Sequence, residues 1–274
     1  TLIGNWGSNA LRGGGGDDLL MGREGFDLFD QGAPQQDGFE GGAGRDTVSY
    51  ERYRAGVIAT SRVINGYGVH LKVPRLTQLS DGQDYLQDVE IVLGSEFGDT
   101  LTGNHQDYRL AGNGGRDVLL GGWGQDTLEG GAGDDELRDI DYTGDLGFRA
   151  QGFASQAKAD VFDGGEGVDW LDYSESMVSL RSQTKQGVSV DLAANKVSKL
   201  YSPGAPATGP QDRVLGIENV RGTAQADQLK GDGGKNLLEG GLGHDTLIAS
   251  GGGDDFSGGE GSDTLVLEGR RSDY

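Results

Sequence analysis

Cysteine is missing altogether from the 274 residues, which removes disulfide staples and thiolate metal sites from consideration. Proline is nearly as scarce, with 5 residues, and a collagen-like helix, which needs it beside a glycine at every third place, is excluded. No stretch approaches the roughly 18 consecutive apolar residues that a membrane-spanning helix requires. Apolar residues make up only 34 % of the chain and aromatics 7 %. Positive charge is also short: 23 Lys and Arg stand against 44 Asp and Glu, for a formal net charge of −21. Such a composition buries too little apolar surface to offset chain entropy by itself. Something must neutralise the acid, either a cation or a basic partner. Nucleic acid and anionic lipid are repelled by it and are disfavoured as partners.

What the chain has in excess is glycine, 53 residues, and the glycines keep a period of nine. From Gly4 the sequence parses as GNWGSNALR, GGGGDDLLM and GREGFDLFD, and after Gln31 as GAPQQDGFE and GGAGRDTVS. A second block from Gly94 reads GSEFGDTLT, GNHQDYRLA, GNGGRDVLL, GGWGQDTLE and GGAGDDELR. A third, from Gly222, reads GTAQADQLK, GDGGKNLLE, GGLGHDTLI, ASGGGDDFS and GGEGSDTLV. A shorter pair, SQAKADVFD and GGEGVDWLD, covers residues 155–172. The sixth place is Asp or Asn in every unit of the three blocks except one, where Tyr108 stands, and the eighth is Leu, Phe or Val. A flexible acidic linker has no reason to hold apolar residues at a fixed period.

A longer repeat lies over the short one. GGAGRDTVSY (residues 41–50) matches GGEGVDWLDY (164–173), and GVHLKV (68–73) matches GVSVDL (187–192). Residues 84–104 match 212–232 without a gap. The opening TLIGN fits the register of TLTGN (100–104) and QLKGD (228–232), so the chain is expected to enter mid-unit as a piece of a longer protein.

Within one unit, glycines in the first six places allow a tight turn with positive φ and close backbone approach. The last three places read as a very short strand with its middle residue turned inward. Such strands are stable only when stacked. Two turns and two strands carry the chain once around, so units eighteen residues apart become neighbours. The expected apolar ladders are Leu11, Leu20, Phe29, Phe39 and Val48; Leu101, Leu110, Leu119, Leu128 and Leu137; and Leu229, Leu238, Leu247, Phe256 and Leu265. The turns would stack carboxylate on carboxylate. Carboxylates and backbone carbonyls form an all-oxygen environment that suits Ca2+ better than zinc or copper.

Units such as GGWGQDTLE, GGAGDDELR and GGEGSDTLV resemble the GGxGxDx-apolar-x nonapeptide of the RTX (repeats-in-toxin) calcium-binding family. The resemblance implies an all-β fold of tandem parallel β-rolls, of right-handed β-helix type, with β inserts that cap and connect them. In that reading residues 1–49, 94–138 and 222–266 are three rolls. Residues 50–93 are a connecting insert, 139–221 a second insert holding the short pair at 155–172, and 267–274 the start of a continuation.

The family's side-chain ligand is the position-six Asp, completed by turn carbonyls. Carried onto this sequence, the resemblance implies ligands at Asp18, Asp27, Asp37, Asp46, Asp117, Asp126, Asp135, Asp169, Asp245, Asp254 and Asp263. Asp99, Asp160 and Asp227 lie in units without the paired glycines and rank below them, as do the amide oxygens of Asn9 and Asn236. About nine Ca2+ ions would offset most of the net charge of −21.

Other motifs are weaker. Asp139, Asp141 and Asp145 lack the glycine and closing Glu of an EF-hand and read as a polar loop. His70, His105 and His244 are isolated and read as surface residues. Trp6 and Trp123 occupy turn position three, and YERYR (50–54) reads as an edge or capping element. Gly234–Lys235 is followed by Asn236, which argues against a phosphate loop. No HExxH, GxSxG or histidine-paired nucleophile is found, so the chain reads as non-enzymatic.

The expected function is a calcium-binding roll of a secreted bacterial exoprotein, extracellular or at the cell surface, that folds on Ca2+ after type I secretion. It would act as a scaffold, with a protein or polysaccharide as partner at the cell surface. Two alternatives are a surface adhesin, S-layer or filament component, and an accessory calcium module of a secreted lipase, protease, peroxidase or alginate epimerase.

Overall fold

The computed structural model describes residues 1–3, 10–16, 19–21, 38–61, 83–104, 106–122, 124–139, 159–174, 187–199 and 211–268. Among these the regular structure is all strand, with no helix. Each described nonapeptide strand lies at positions seven to nine, such as Val118–Leu120 and Glu136–Arg138. On one side of the chain the strand runs on into the next turn, as in Arg109–Gly114 and Thr127–Ala132. The turns reverse direction at left-handed positions: in the unit from Gly130, residues Gly131 and Gly133 have φ of +109° and +133°. A Cβ at either would also collide with a carbonyl of the preceding layer, that of Asn113 or Gly115. Conformation and space both demand glycine there.

Within the nonapeptide blocks successive strands alternate between two sheets, one of 13 strands and one of 11 among the described residues. Pairing is parallel, and the expected eighteen-residue spacing holds within the blocks: Leu110 pairs with Leu128, and Leu101, Leu119 and Leu137 pair in series. Across the insert the same ladders continue at a longer spacing, Leu128 to Phe162 and Leu137 to Leu171. Each sheet runs without a break from the first block to the third. Thr47–Ser49 pairs with Ile91–Leu93 and that with Arg109–Gly114, while Trp170–Asp172, Asn219–Arg221 and Leu237–Gly243 pair in order.

The inserts contribute rungs of their own. Ile58–Ser61 lies between Gln83–Gln87 and Thr100–Thr102, parallel to both. Val188–Asp191 and Lys196–Lys199 form an antiparallel hairpin placed between Asp212–Leu215 and Gln228–Lys230. Among the described residues, the pairing within this hairpin and that of Lys196–Lys199 with Asp212–Leu215 are antiparallel, and the rest is parallel. Residues 68–73, matched in sequence to 187–192, lie outside the described residues. Gly56–Val57 takes the corresponding place, as the bonds described below show.

The core is a narrow double column between the sheets. Leu20, Phe39, Val48, Leu101, Leu110, Leu119, Leu128, Leu137, Leu229, Leu238 and Leu247 are buried as the ladders require, with Leu11 and Phe256 partly buried against them. Phe29 lies outside the described residues. Leu265, in the last layer, is 50 % exposed because nothing described stacks beyond it. Tyr50 is not an edge residue. It is fully buried, its ring edge-on to Phe39 and Tyr53 at 6.0 and 5.1 Å. Its counterpart Tyr173 packs the same way on Phe162 at 6.4 Å, which explains the tyrosine that ends both matched segments of the long repeat, VSY and LDY.

Candidate metal centre

The position-six residues stack into two ladders, one along each edge where turns meet sheets. In most described rungs one carboxylate oxygen accepts the backbone N–H of the position-six residue in the layer before. On the first edge, Asp99 N donates to Asp117 Oδ1 at 2.7 Å, Asp117 N to Asp135 Oδ1 and Asp135 N to Asp169 Oδ1, both at 2.8 Å. On the second, Tyr108 N donates to Asp126 Oδ1 and Asp126 N to Asp160 Oδ1, each at 2.8 Å. The third block continues the pattern: Asp227 N to Asp245 at 2.8 Å, and Asp245 N to Asp263 and Asn236 N to Asp254 at 3.0 Å. Asp46, Asp99, Asp117, Asp126, Asp135, Asp160, Asp169, Asp227, Asn236, Asp245, Asp254 and Asp263 thus share one structural place. Asn9, Asp18, Asp27 and Asp37 lie outside the described residues.

The second oxygen separates the rungs into two kinds. The Oδ2 atoms of Asp117, Asp135, Asp169, Asp245 and Asp254 are buried and have no hydrogen-bond partner. In the first four of these turns, residue two is left-handed: Asn113, Gly131, Gly165 and Gly241 have φ between +74° and +109°. The Asp254 turn instead has left-handed Gly251, Gly252 and Gly253. In the other kind, residue two is Ser95, Thr223 or Asp232, and its N–H donates to the position-six side chain. Ser95 N reaches Asp99 Oδ2 at 2.6 Å, Thr223 N reaches Asp227 Oδ2 at 2.7 Å, and Asp232 N reaches Asn236 Oδ1 at 2.8 Å. The hydroxyls of Ser95 and Thr223 donate to the same carboxylates at 3.0–3.1 Å. Asn236 uses its Nδ2 on the carbonyl of Glu218 at 3.0 Å.

Buried carboxylates without a full set of donors are expensive to ionise. Burial, reinforced by the charges of Asp99 and Asp135, pushes Asp117 up to about 8. Burial likewise carries Asp227 to about 7 and Asp99 and Asp169 to about 6, against the pull of the backbone N–H bonds they accept. Asp135 and Asp245 are raised for the same first reason. A bound cation reverses this arithmetic. The surroundings suit a hard one: the first glycine of each turn lies under its own carboxylate, as Gly164 under Asp169. Carbonyls of residues two and four point at the same places of the next layer, where a Cβ would collide with them. Buried bare carboxylate oxygens beside columns of carbonyls, with no nitrogen or sulfur donor among them, fit Ca2+.

Several residues of the ladders escaped the nonapeptide pattern. Glu90 and Glu218 take the sixth place in two shortened turns, accepting Asp46 N and Asp169 N at 2.8 Å. In each short turn a left-handed residue, Asp88 or Gly216, precedes a buried Val89 or Ile217. The longer Glu side chain spans the distance that the missing residues leave. The gapless match of 84–104 to 212–232 carries this signal, since it aligns Glu90 with Glu218 and Ser95 with Thr223. Asp212 accepts Asp160 N at 3.0 Å. Asp139, read from sequence as part of a polar loop, is buried, and carboxylate oxygens of Asp139, Asp160 and Asp212 lie within 4.8 Å of one another. Asp141 and Asp145 lie outside the described residues. Tyr108 is buried in a sixth place, its ring against Gly103, while the exposed Asp107 accepts Gln125 N at 2.8 Å on the outer turn. His244 is exposed and accepts Ser262 N through Nδ1 at 2.9 Å.

A family model described as the RTX calcium-binding nonapeptide repeat (4 copies) matches residues 1–30, 109–137, 156–175, 214–247 and 231–265. The matched stretches contain the ladders of Asp117, Asp126, Asp135, Asp169, Asp227 and Asp245, and RTX repeats bind calcium. The chain thus carries RTX calcium-binding nonapeptide repeats, and its long parallel sheets are consistent with the parallel β-roll of that family.

Proposed function

We propose that this chain is the calcium-loaded roll region of a secreted bacterial exoprotein, and that it folds as it binds Ca2+ outside the cell. The observation that carries this reading is the set of buried Oδ2 atoms without partners on Asp117, Asp135, Asp169, Asp245 and Asp254. With a net charge of −21 and no cation, the ladders set like charges one layer apart, and unfolding relieves them. The residues that would hold calcium are Asp46, Asp117, Asp126, Asp135, Asp160, Asp169, Asp245, Asp254 and Asp263. By sequence place Asp18, Asp27 and Asp37 join them. About nine ions would bring the net charge near zero.

Binding is folding for such a site, because the unfolded chain holds no preformed cage. At submicromolar cytosolic Ca2+ the chain would stay extended and fit for a type I export channel. At the order of 10⁻⁴–10⁻³ M outside, it would collapse into the roll. RTX repeat domains are structural calcium-binding modules rather than catalysts, and the role assigned here is that of a scaffold in a longer exoprotein. Titration calorimetry tests the metal requirement. Saturable binding of several Ca2+ in that concentration range, with Mg2+ failing to substitute, is the expected result. No Ca2+ binding up to about 10 mM would overturn the reading.

A further inference from the structure

Resting on the calcium reading above, we propose that residue two of each turn decides which rungs take the ion. Rungs whose position-six side chain accepts the N–H of residue two are metal-free. Rungs whose Oδ2 is left bare are calcium sites. Asp99, Asp227 and Asn236 therefore hold the roll together without calcium.

The first argument is the count of donors. Asp99 accepts Val57 N and Ser95 N at 2.6 Å and Ser95 Oγ at 3.1 Å. Asp227 accepts Val188 N at 2.6 Å, Thr223 N at 2.7 Å and Thr223 Oγ1 at 3.0 Å. Three such donors reach both oxygens of the carboxylate and partly offset its burial. An ion placed against its second oxygen would face the positive end of an N–H bond. Asn236 has no charge to offer, and its own Nδ2 already caps the Glu218 carbonyl. At Asp117, Asp135, Asp169 and Asp245 the ladder N–H reaches one oxygen only, and the other is bare.

The second argument is the layer beneath. Asp99 and Asp227 both lie at joints where an insert strand enters the roll. The layer before Asp99 is Gly56–Val57 and the layer before Asp227 is Gly187–Val188. Each leads into an insert strand, Ile58–Ser61 or Val188–Asp191, and neither belongs to a nonapeptide of the sequence. These glycines lie flush against the turn: a Cβ on Gly56 would strike the carbonyl of Gly98, and one on Gly187 that of Ala226. The half of the site that a neighbouring turn supplies elsewhere is filled by backbone. Ser95 and Thr223 are thus the sequence marks of a joint, and a left-handed glycine or Asn at residue two marks the calcium rungs of Asp117, Asp135, Asp169 and Asp245.

Crystals of the intact chain grown in millimolar Ca2+ test this through anomalous scattering. Peaks are expected beside Asp117, Asp135, Asp169 and Asp245, and none within bonding distance of Asp99, Asp227 or Asn236. A peak at any of the last three overturns the proposal while leaving the calcium reading intact. The absence of any peak overturns both. Equilibrium dialysis gives an independent count: Asp245→Ala should lose at least one bound ion per chain, and Asp227→Ala should keep the wild-type number. Loss of an ion from folded Asp227→Ala contradicts the proposal. If that variant does not fold, the anomalous map of the wild-type chain decides.

Discussion

The backbone N–H of Asp117 donates to Oδ1 of Asp135, eighteen residues further on, across 2.8 Å, and the other oxygen of Asp135 is buried with no partner. One side chain therefore does two things. It ties its layer to the one before, and it holds a bare oxygen at the edge of the roll, next to the carbonyls of adjoining turns. The structural bond and the metal-binding capacity belong to the same carboxylate, so stability and calcium affinity are coupled.

That coupling sets the effect of Asp135→Ala. The variant removes a charge-assisted hydrogen bond worth about 1.5–3 kcal/mol together with one ligand. The calcium midpoint of folding should rise, and the urea midpoint at saturating Ca2+ should fall. An unchanged calcium midpoint would count against the assignment of Asp135.

Two glycines of positive φ, one with open space around it and one without, should differ in what an added Cβ costs. Gly253 has φ of +79° with nothing near a Cβ, whereas Gly133 has φ of +133° and its Cβ would meet the Gly115 carbonyl. Gly253→Ala should cost about 1–2 kcal/mol, the left-handed penalty alone. Gly133→Ala should cost clearly more, because backbone in two layers must move. Thermal unfolding in saturating Ca2+ reads the difference, and equal melting temperatures would refute the close approach.

Position along the stack sets the cost of emptying the core. Leu128 is 1 % exposed and Leu265 is 50 % exposed. Leu128→Ala should lose about 2–5 kcal/mol, and Leu265→Ala about 0.5 kcal/mol or less. Comparable losses by urea titration would show that the last layer is covered in solution.

Acid should partly replace calcium. Burial raises Asp117 to about 8, Asp227 to about 7, and Asp99 and Asp169 to about 6. Groups raised on folding bind protons more tightly in the folded chain. Their contribution is full below the unfolded carboxylate range and is lost as pH climbs through about 6 to 8. In EGTA the chain should therefore gain β-structure as pH falls from about 8 to about 5, the reverse of ordinary acid denaturation. Calcium should flatten that dependence. Loss of β-structure on acidification in EGTA would contradict the raised values.

Much of this was legible in the sequence because the period of nine writes the same instruction many times. Leu101, Leu110, Leu119, Leu128 and Leu137 stack as the spacing requires, and Asp117, Asp126 and Asp135 form rungs as their places imply. What was hidden lies where the count breaks. Glu90 and Glu218 sit in turns shortened by three residues, so a frame of nine passes over them. Asp139 joins Asp160 and Asp212 across the long insert that follows it, a contact no local pattern encodes. The hairpin of Val188–Asp191 with Lys196–Lys199 pairs antiparallel, which the match of 187–192 to 68–73 does not specify. The closed state of Asp99 and Asp227 depends on the N–H direction of Ser95 and Thr223. Backbone direction at one residue is not written in composition.

The central claim is that calcium and the roll form together. Far-UV circular dichroism of the intact chain, followed from EGTA to millimolar Ca2+, tests it most directly. The account predicts a largely unordered spectrum in EGTA that converts cooperatively to β-structure on the order of 10⁻⁴–10⁻³ M Ca2+. A β spectrum of equal strength in EGTA and in calcium at neutral pH would contradict it.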